Sequence, residues 1–141
     1  MSEYISDEEV ELVIRFNEIT VLKAGEPFGV DREKLEQIFD SVNQDFGAQK
    51  YPEKRLRIIK KVSVIMGRIS WEQPFSQGNK RTCLALGTVF LKRNGFILPL
   101  KKVNVQIYKL LVKTIEKFEN DDTVTSEIES FLRKYVVSFS D

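Results

Sequence analysis

Histidine is absent from the 141 residues and cysteine occurs once. The first absence excludes His-ligated zinc, a Ser-His-Asp triad and any histidine general base. The second excludes an internal disulfide and a Cys-rich metal site, and a lone thiol fits a reducing cytoplasm. Excess charge of either sign is also missing. Lys and Arg total 22 against 21 Asp and Glu, a net charge of +1. No global field therefore favours nucleic acid or an anionic membrane. No apolar run approaches the roughly 18 residues of a membrane span. The opening MSEYISDEEVE is acidic and has no signal-peptide core. Internal repeats, low-complexity tracts and Ser/Gly linkers are missing too, so residues 1–141 read as one domain.

What is present is helical periodicity. Ser6 and Glu9 form a capping-box pattern, and Val10, Val13, Ile14, Phe16, Ile19 and Val21 follow, giving a first helix over about 6–23. Gly25, Pro27 and Gly29 punctuate the chain after it. Asp31 is a good N-cap for a second helix with Leu35, Ile38, Phe39, Val42 and Phe46 on one stripe, stopped at Gly47. Pro52 suits the start of a third, which carries Leu56, Ile59, Val62, Ile65, Met66 and Ile69 to Trp71. Its long apolar stripe predicts a central position. A fourth helix runs from about Asn79 to the Asn94-Gly95 C-cap. Phe96–Leu100 reads as an extended connector. Val105, Ile107, Tyr108, Leu111, Val112, Ile115 and Phe118 mark a fifth helix. Asn120–Thr123 interrupts, and Ile128, Phe131, Leu132, Tyr135 and Val136 mark a sixth. Sustained alternation of period two is nowhere found, so the fold class is all-α.

The stretch SWEQPFSQGNKRTCLALG, Ser70–Gly87, places a Gly-containing turn directly before the fourth helix. A helix start leaves its first N–H groups unpaired, and the dipole favours anions there. Gly78 permits close approach of a ligand, and Asn79, Lys80 and Arg81 add donors and positive charge. The arrangement suits a pyrophosphate. It also suits an ordinary loop–helix junction with solvated cations.

The segment QPFSQGNKRT, Gln73–Thr82, resembles the motif of the Fic/Doc (Fido) family, His-x-Phe-x-(Asp/Glu)-(Gly/Ala)-Asn-(Gly/Lys)-Arg. Pro74, Phe75, Gly78, Asn79, Lys80, Arg81 and Thr82 match. Tyr51–Trp71 is similar to the family's helix leading into the motif, and Phe90–Phe96 to the end of the helix that follows. Pro27–Phe39 resembles a segment of the death-on-curing branch. Lys80, with Leu84 where many AMP-transferring members carry a second Arg, points to that Doc-like branch. The resemblance spans about residues 6–100. It implies a bundle of about six helices with the motif loop at the N-terminus of a central helix. It also implies a site for ATP or another nucleoside triphosphate, bound through Phe75, Gly78, Asn79, Lys80 and Arg81. Family members transfer AMP, or in some Doc-like cases phosphate, to a hydroxyl of a target protein.

Two positions depart from the motif. Gln73 stands where the family has its catalytic histidine, and an amide has no basic lone pair near neutral pH. Gln77 stands where the family has an acidic magnesium ligand, and hard cations want carboxylate charge. The resemblance thus implies a retained phosphate site with impaired transfer, and leaves Mg2+ doubtful. Two other readings stay open: an active Doc-like transferase, and a non-catalytic interaction module. The implied partners are a protein target and a separate antitoxin-like inhibitor. The family's internal inhibitory helix is approached only by Thr125–Ser130, in which Ser130 replaces the expected Gly or Asn. Lys54, Arg57 and Lys61 share a helical face, read as solvated rather than as a nucleic-acid patch. Cys83 reads as a buried helix residue.

Overall fold

The computed structural model describes residues 3–44, 50–117 and 121–139. Helix α1 spans Asp7–Lys23, α2 Arg32–Gln44, α3 Lys54–Glu72, α4 Asn79–Arg93, α5 Leu100–Lys117 and α6 Asp121–Tyr135. Two short strands, β1 Phe96–Ile97 and β2 Val137–Ser138, pair antiparallel with Phe96 opposite Ser138. The described fold is all-α apart from that ribbon.

Local chemistry accounts for most boundaries. The Glu9 backbone N–H donates to Ser6 Oγ at 3.2 Å while the Ser6 N–H donates to the Glu9 carboxylate at 3.2 Å, closing the capping box of α1. Asp31 Oδ1 accepts from the Lys34 N–H at 3.1 Å and caps α2. α3 begins at Lys54, two residues after Pro52, with Glu53 as an N-cap that makes no side-chain bond. The Arg57 guanidinium instead holds the incoming chain, donating to the Tyr51 and Pro52 carbonyls at 3.2 and 3.0 Å. Phe46, Gly47, Phe118, Asn120 and the side chain of Ile115 lie outside the described residues.

α3 is the central element, as its pattern predicts. It packs against α2, α4, α5 and α6, and Ile58, Ile59, Val62, Ile65, Met66 and Ile69 are fully buried. Two glycines on α3 and α4 let neighbouring helices close in. A Cβ on Gly67 would lie 3.3 Å from Thr125 Cα and 2.9 Å from its Oγ1, so α6 crosses α3 there with backbone against backbone. A Cβ on Gly87 would meet the Met66 side chain at 2.4 Å. Gly67→Val should therefore push α6 outward and cost about 1–3 kcal/mol, read as a lower midpoint in urea unfolding.

Three sequence expectations are corrected. Phe96–Pro99 is extended and Leu100 already opens α5, and the first two residues pair with a C-terminal strand too short to leave a periodic signal. On α5 the buried stripe is Val103, Ile107 and Leu111, while Val105, Tyr108 and Val112 face outward. The expected stripe mixed two faces, because apolar residues lie on both. On α1 the buried face is Val10, Val13, Asn17 and Val21, whereas Phe16 and Ile19 are exposed.

Candidate functional site

The motif loop is built by pinning a short chain at both ends. α3 terminates at Gln73, whose left-handed backbone (φ 50°, ψ 63°) turns the chain while its N–H still donates to the Ile69 carbonyl at 3.0 Å. It is the one non-glycine residue with positive φ among the described residues. The chain then runs antiparallel to residues 29–31. The Asp31 N–H donates to the Pro74 carbonyl at 2.7 Å, and the Ser76 N–H to the Gly29 carbonyl at 2.9 Å, on either side of a Val30–Phe75 bridge.

Asn79 locks the inner side of the loop. Its Oδ1 accepts from the Phe75 N–H at 3.0 Å and its Nδ2 donates to the Phe75 carbonyl at 2.8 Å. Asn17 of α1 supplies a second clamp, donating from Nδ2 to the Gln77 carbonyl at 2.9 Å and to Thr82 Oγ1 at 3.0 Å. Buried polar groups need such partners, and here they fix the loop. Gly78 caps α4 with φ 73°, a conformation that favours glycine. A Cβ there would lie 3.0 Å from Val21 Cγ1 and 3.2 Å from the Arg81 guanidinium.

The result is an α4 start that opens onto solvent. The backbone N–H groups of Asn79, Lys80 and Arg81 have no backbone acceptor among the described residues, the ordinary condition of a helix's first turn. They border a cleft of about 330 Å³ lined by Gly78, Asn79, Lys80, Arg81 and Tyr108. Within that cleft the cations are Lys80 and Arg81, and no lining side chain is a carboxylate. The Arg81 guanidinium is 3.4 Å from the Glu26 carboxylate, both side chains about two-fifths exposed. An anion arriving at the helix start must compete with Glu26 for that guanidinium. Glu26→Gln should therefore tighten the binding of any phosphate ligand taken up there, by less than about fivefold because an exposed pair is worth at most about 1 kcal/mol. Titration calorimetry of the variant with ATP checks it; weaker binding would show that Glu26 does not compete.

The structure sorts the sequence candidates. Gly78, Lys80 and Arg81 reach the cleft directly. Asn79 reaches it through its backbone, since its amide side chain is committed to Phe75. Phe75 does not reach it. The ring is 2 % exposed and anchors the loop in the core. Gln73 and Gln77 are exposed on the same loop but do not line the cleft. Glu72 turns to Arg68, one helical turn back. Leu84 is on the buried face of α4. Cys83 is fully buried, and burial pushes its thiol up to about 12, which makes it a packing residue and not a nucleophile.

Two neighbouring features also resolve. The Lys54–Lys61 face is not simply solvated. Arg57 clasps the Glu3 carboxylate through Nε and NH2 at 2.8 and 3.0 Å, and Lys61 donates to the Glu3 carbonyl at 2.9 Å. Arg57 thereby holds the Glu3 carboxyl below its usual range, and both side chains latch the N-terminal segment onto α3. Glu129, in the segment that approaches an inhibitory helix, is bonded to Arg133 and lies 3.6 Å from Lys60. Lys60 is twelve residues before the end of α3, about 18 Å along the helix from the motif.

Tyr108 is the cleft residue that the sequence did not disclose. Its spacing placed it among core positions of α5. In the structure it forms the far wall, 37 % exposed. Partial burial raises its hydroxyl pKa, and the nearby Arg81 charge opposes that rise.

An all-α domain whose motif loop presents a cationic helix start is the class that this geometry defines. A protein-family model for the Fic/DOC family matches residues 7–91, and the chain belongs to that family. No curated protein and no solved structure gives a match. No helix among the described residues is long and apolar enough to cross a membrane.

Proposed function

We propose that this chain is a Fic/Doc-fold protein that binds a nucleoside triphosphate through its phosphates and is impaired in group transfer. The carrying observation is the cleft at the α4 start, where unpaired backbone N–H groups converge with Lys80 and Arg81. That combination receives a multiply charged oxyanion. Tyr108 adds an aromatic wall at the same opening.

The residues fit a triphosphate and do not fit a protein-held magnesium ion. A hard dication takes oxygen ligands and favours carboxylates. The cleft offers two cations, and Gln77 offers only a neutral amide outside its lining. Gln73 can donate or accept a hydrogen bond but cannot take a proton from a hydroxyl near neutral pH. What the chain's residues can do is bind and orient phosphate.

Titration calorimetry with ATP, with and without magnesium, tests the binding half. The expected result is saturable binding at one site that survives removal of magnesium. Absence of binding would replace this reading by a non-catalytic interaction module. Incubation with labelled ATP and a cell extract tests the other half, and the expected result is no label above background. Robust labelling by the unaltered protein would make it an active Doc-like transferase of AMP or phosphate.

A further inference from the structure

We propose that the outer face of α1 is a self-association surface, occupied by α1 of a second copy of this chain laid antiparallel across a two-fold axis. Leu12, Ile19 and Leu22 are 63, 56 and 56 % exposed, and Phe16 is 36 % exposed. They lie on the side of α1 opposite the buried Val10, Asn17 and Val21. The patch extends onto α4, where Ala85, Leu86 and Val89 join Leu12, Val13 and Phe16 around a groove of about 240 Å³. Single exposed apolar residues are ordinary, whereas a contiguous patch over two helices marks a contact surface.

The order of residues along the patch identifies the occupant. At steps of three or four, the outer stripe of α1 reads Glu8, Leu12, Arg15 with Phe16, Ile19, Leu22 with Lys23. Reversing that stripe about its middle places Glu8 on Lys23, Leu12 on Ile19 and Arg15 on Phe16. An antiparallel copy therefore meets opposite charge with charge, apolar with apolar and guanidinium with ring. A parallel copy would set Glu8 against Glu8 and Lys23 against Lys23. Such self-complementarity under reversal is what a two-fold interface requires, and antiparallel helix dipoles agree with it. Glu8, Arg15 and Lys23 are exposed and have no ion pair among the described residues. Glu11, at the edge of the stripe, is already paired with Arg32.

The stripe is about 22 Å long at the helical rise. One helix pair with an α4 shoulder is a small interface, so the dissociation constant belongs on the order of micromolar. The groove lies on the α1 flank of α4, whereas the cleft at the α4 start is walled by Tyr108 of α5. The groove and the cleft share no lining residue, and self-association does not depend on the nucleotide reading.

Sedimentation velocity across the micromolar range tests the proposal. Unaltered protein should shift from monomer to dimer as concentration rises. Leu12→Asp and Ile19→Asp should each remain monomeric at every concentration, with unchanged helical circular dichroism, since both positions are exposed. Glu8→Lys and Lys23→Glu should each weaken the dimer about three- to tenfold, through two lost surface pairs and two new repulsions. The double variant Glu8→Lys/Lys23→Glu should restore it, because each pair is merely reversed. Monomer throughout for the unaltered protein, or a dimer indifferent to Leu12→Asp and Ile19→Asp, would overturn the proposal. Failure of the double variant to recover would overturn the antiparallel register.

Discussion

Gln73→His combined with Gln77→Glu should confer measurable transfer from magnesium-ATP to protein, including to the chain itself. Neither position lines the cleft in the native loop, but both lie on the loop that borders it, whose backbone is already set by other residues. Asn79 and Asn17 hold the loop through backbone atoms, and residues 29–31 pin its entry. The substitutions disturb none of these bonds. Position 73 has φ 50°, and histidine tolerates the left-handed region better than most residues. A general base contributes about 10²–10⁴ in rate, so a background near zero should become a clear signal. Gln73→His alone should give little, since no carboxylate would hold magnesium against the phosphates. Gln77→Glu alone should give little, since nothing would take the proton. The pair should exceed the product of the singles, because base and metal act on one transition state. Labelled-ATP transfer by the four proteins measures this. A double variant that binds ATP normally yet transfers nothing would show that more than these two groups is missing.

If the cleft takes ATP as proposed, Arg81→Ala should weaken that binding by roughly 10- to 100-fold, the equivalent of about 1.5–3 kcal/mol for a charge-assisted hydrogen bond. The value should fall toward the lower end, because the guanidinium already has Glu26 as a partner before any ligand arrives. Arg81→Ala in the Glu26→Gln background should therefore show a larger drop than in the native background. The side chain is 40 % exposed, so unfolding midpoints should barely move. Calorimetric titration of the native protein and the three variants separates these terms. Equal affinity in native protein and Arg81→Ala would remove Arg81 from the site.

Much of this molecule is written locally. The Ser6–Glu9 capping box, the Asp31 cap, the glycine N-cap of α4 and the Asn94-Gly95 stop are short-range devices, and each ends or begins a helix where the sequence places it. Failures occurred where one helix carries apolar residues on two faces. Val105 and Val112 are nearly as apolar as Ile107 and Leu111, and Tyr108 presents an aromatic ring beside them, so periodicity alone does not say which stripe meets α3. The same ambiguity on α1 hid its exposed face.

The site divides along the same line. The sequence by itself determined that a glycine, an asparagine and two cations open a helix, and that no histidine or motif carboxylate accompanies them. These are matters of residue identity and order. Only the tertiary structure decided that Phe75 serves the core, that Asn79 spends its amide on the loop and that Asn17, 60 residues earlier, clamps Gln77. It alone brought Glu26 to Arg81 and Tyr108 to the cleft. Those contacts join residues far apart in the chain, and their energy exists only once α1 has packed on α4, and α4 and α5 on α3.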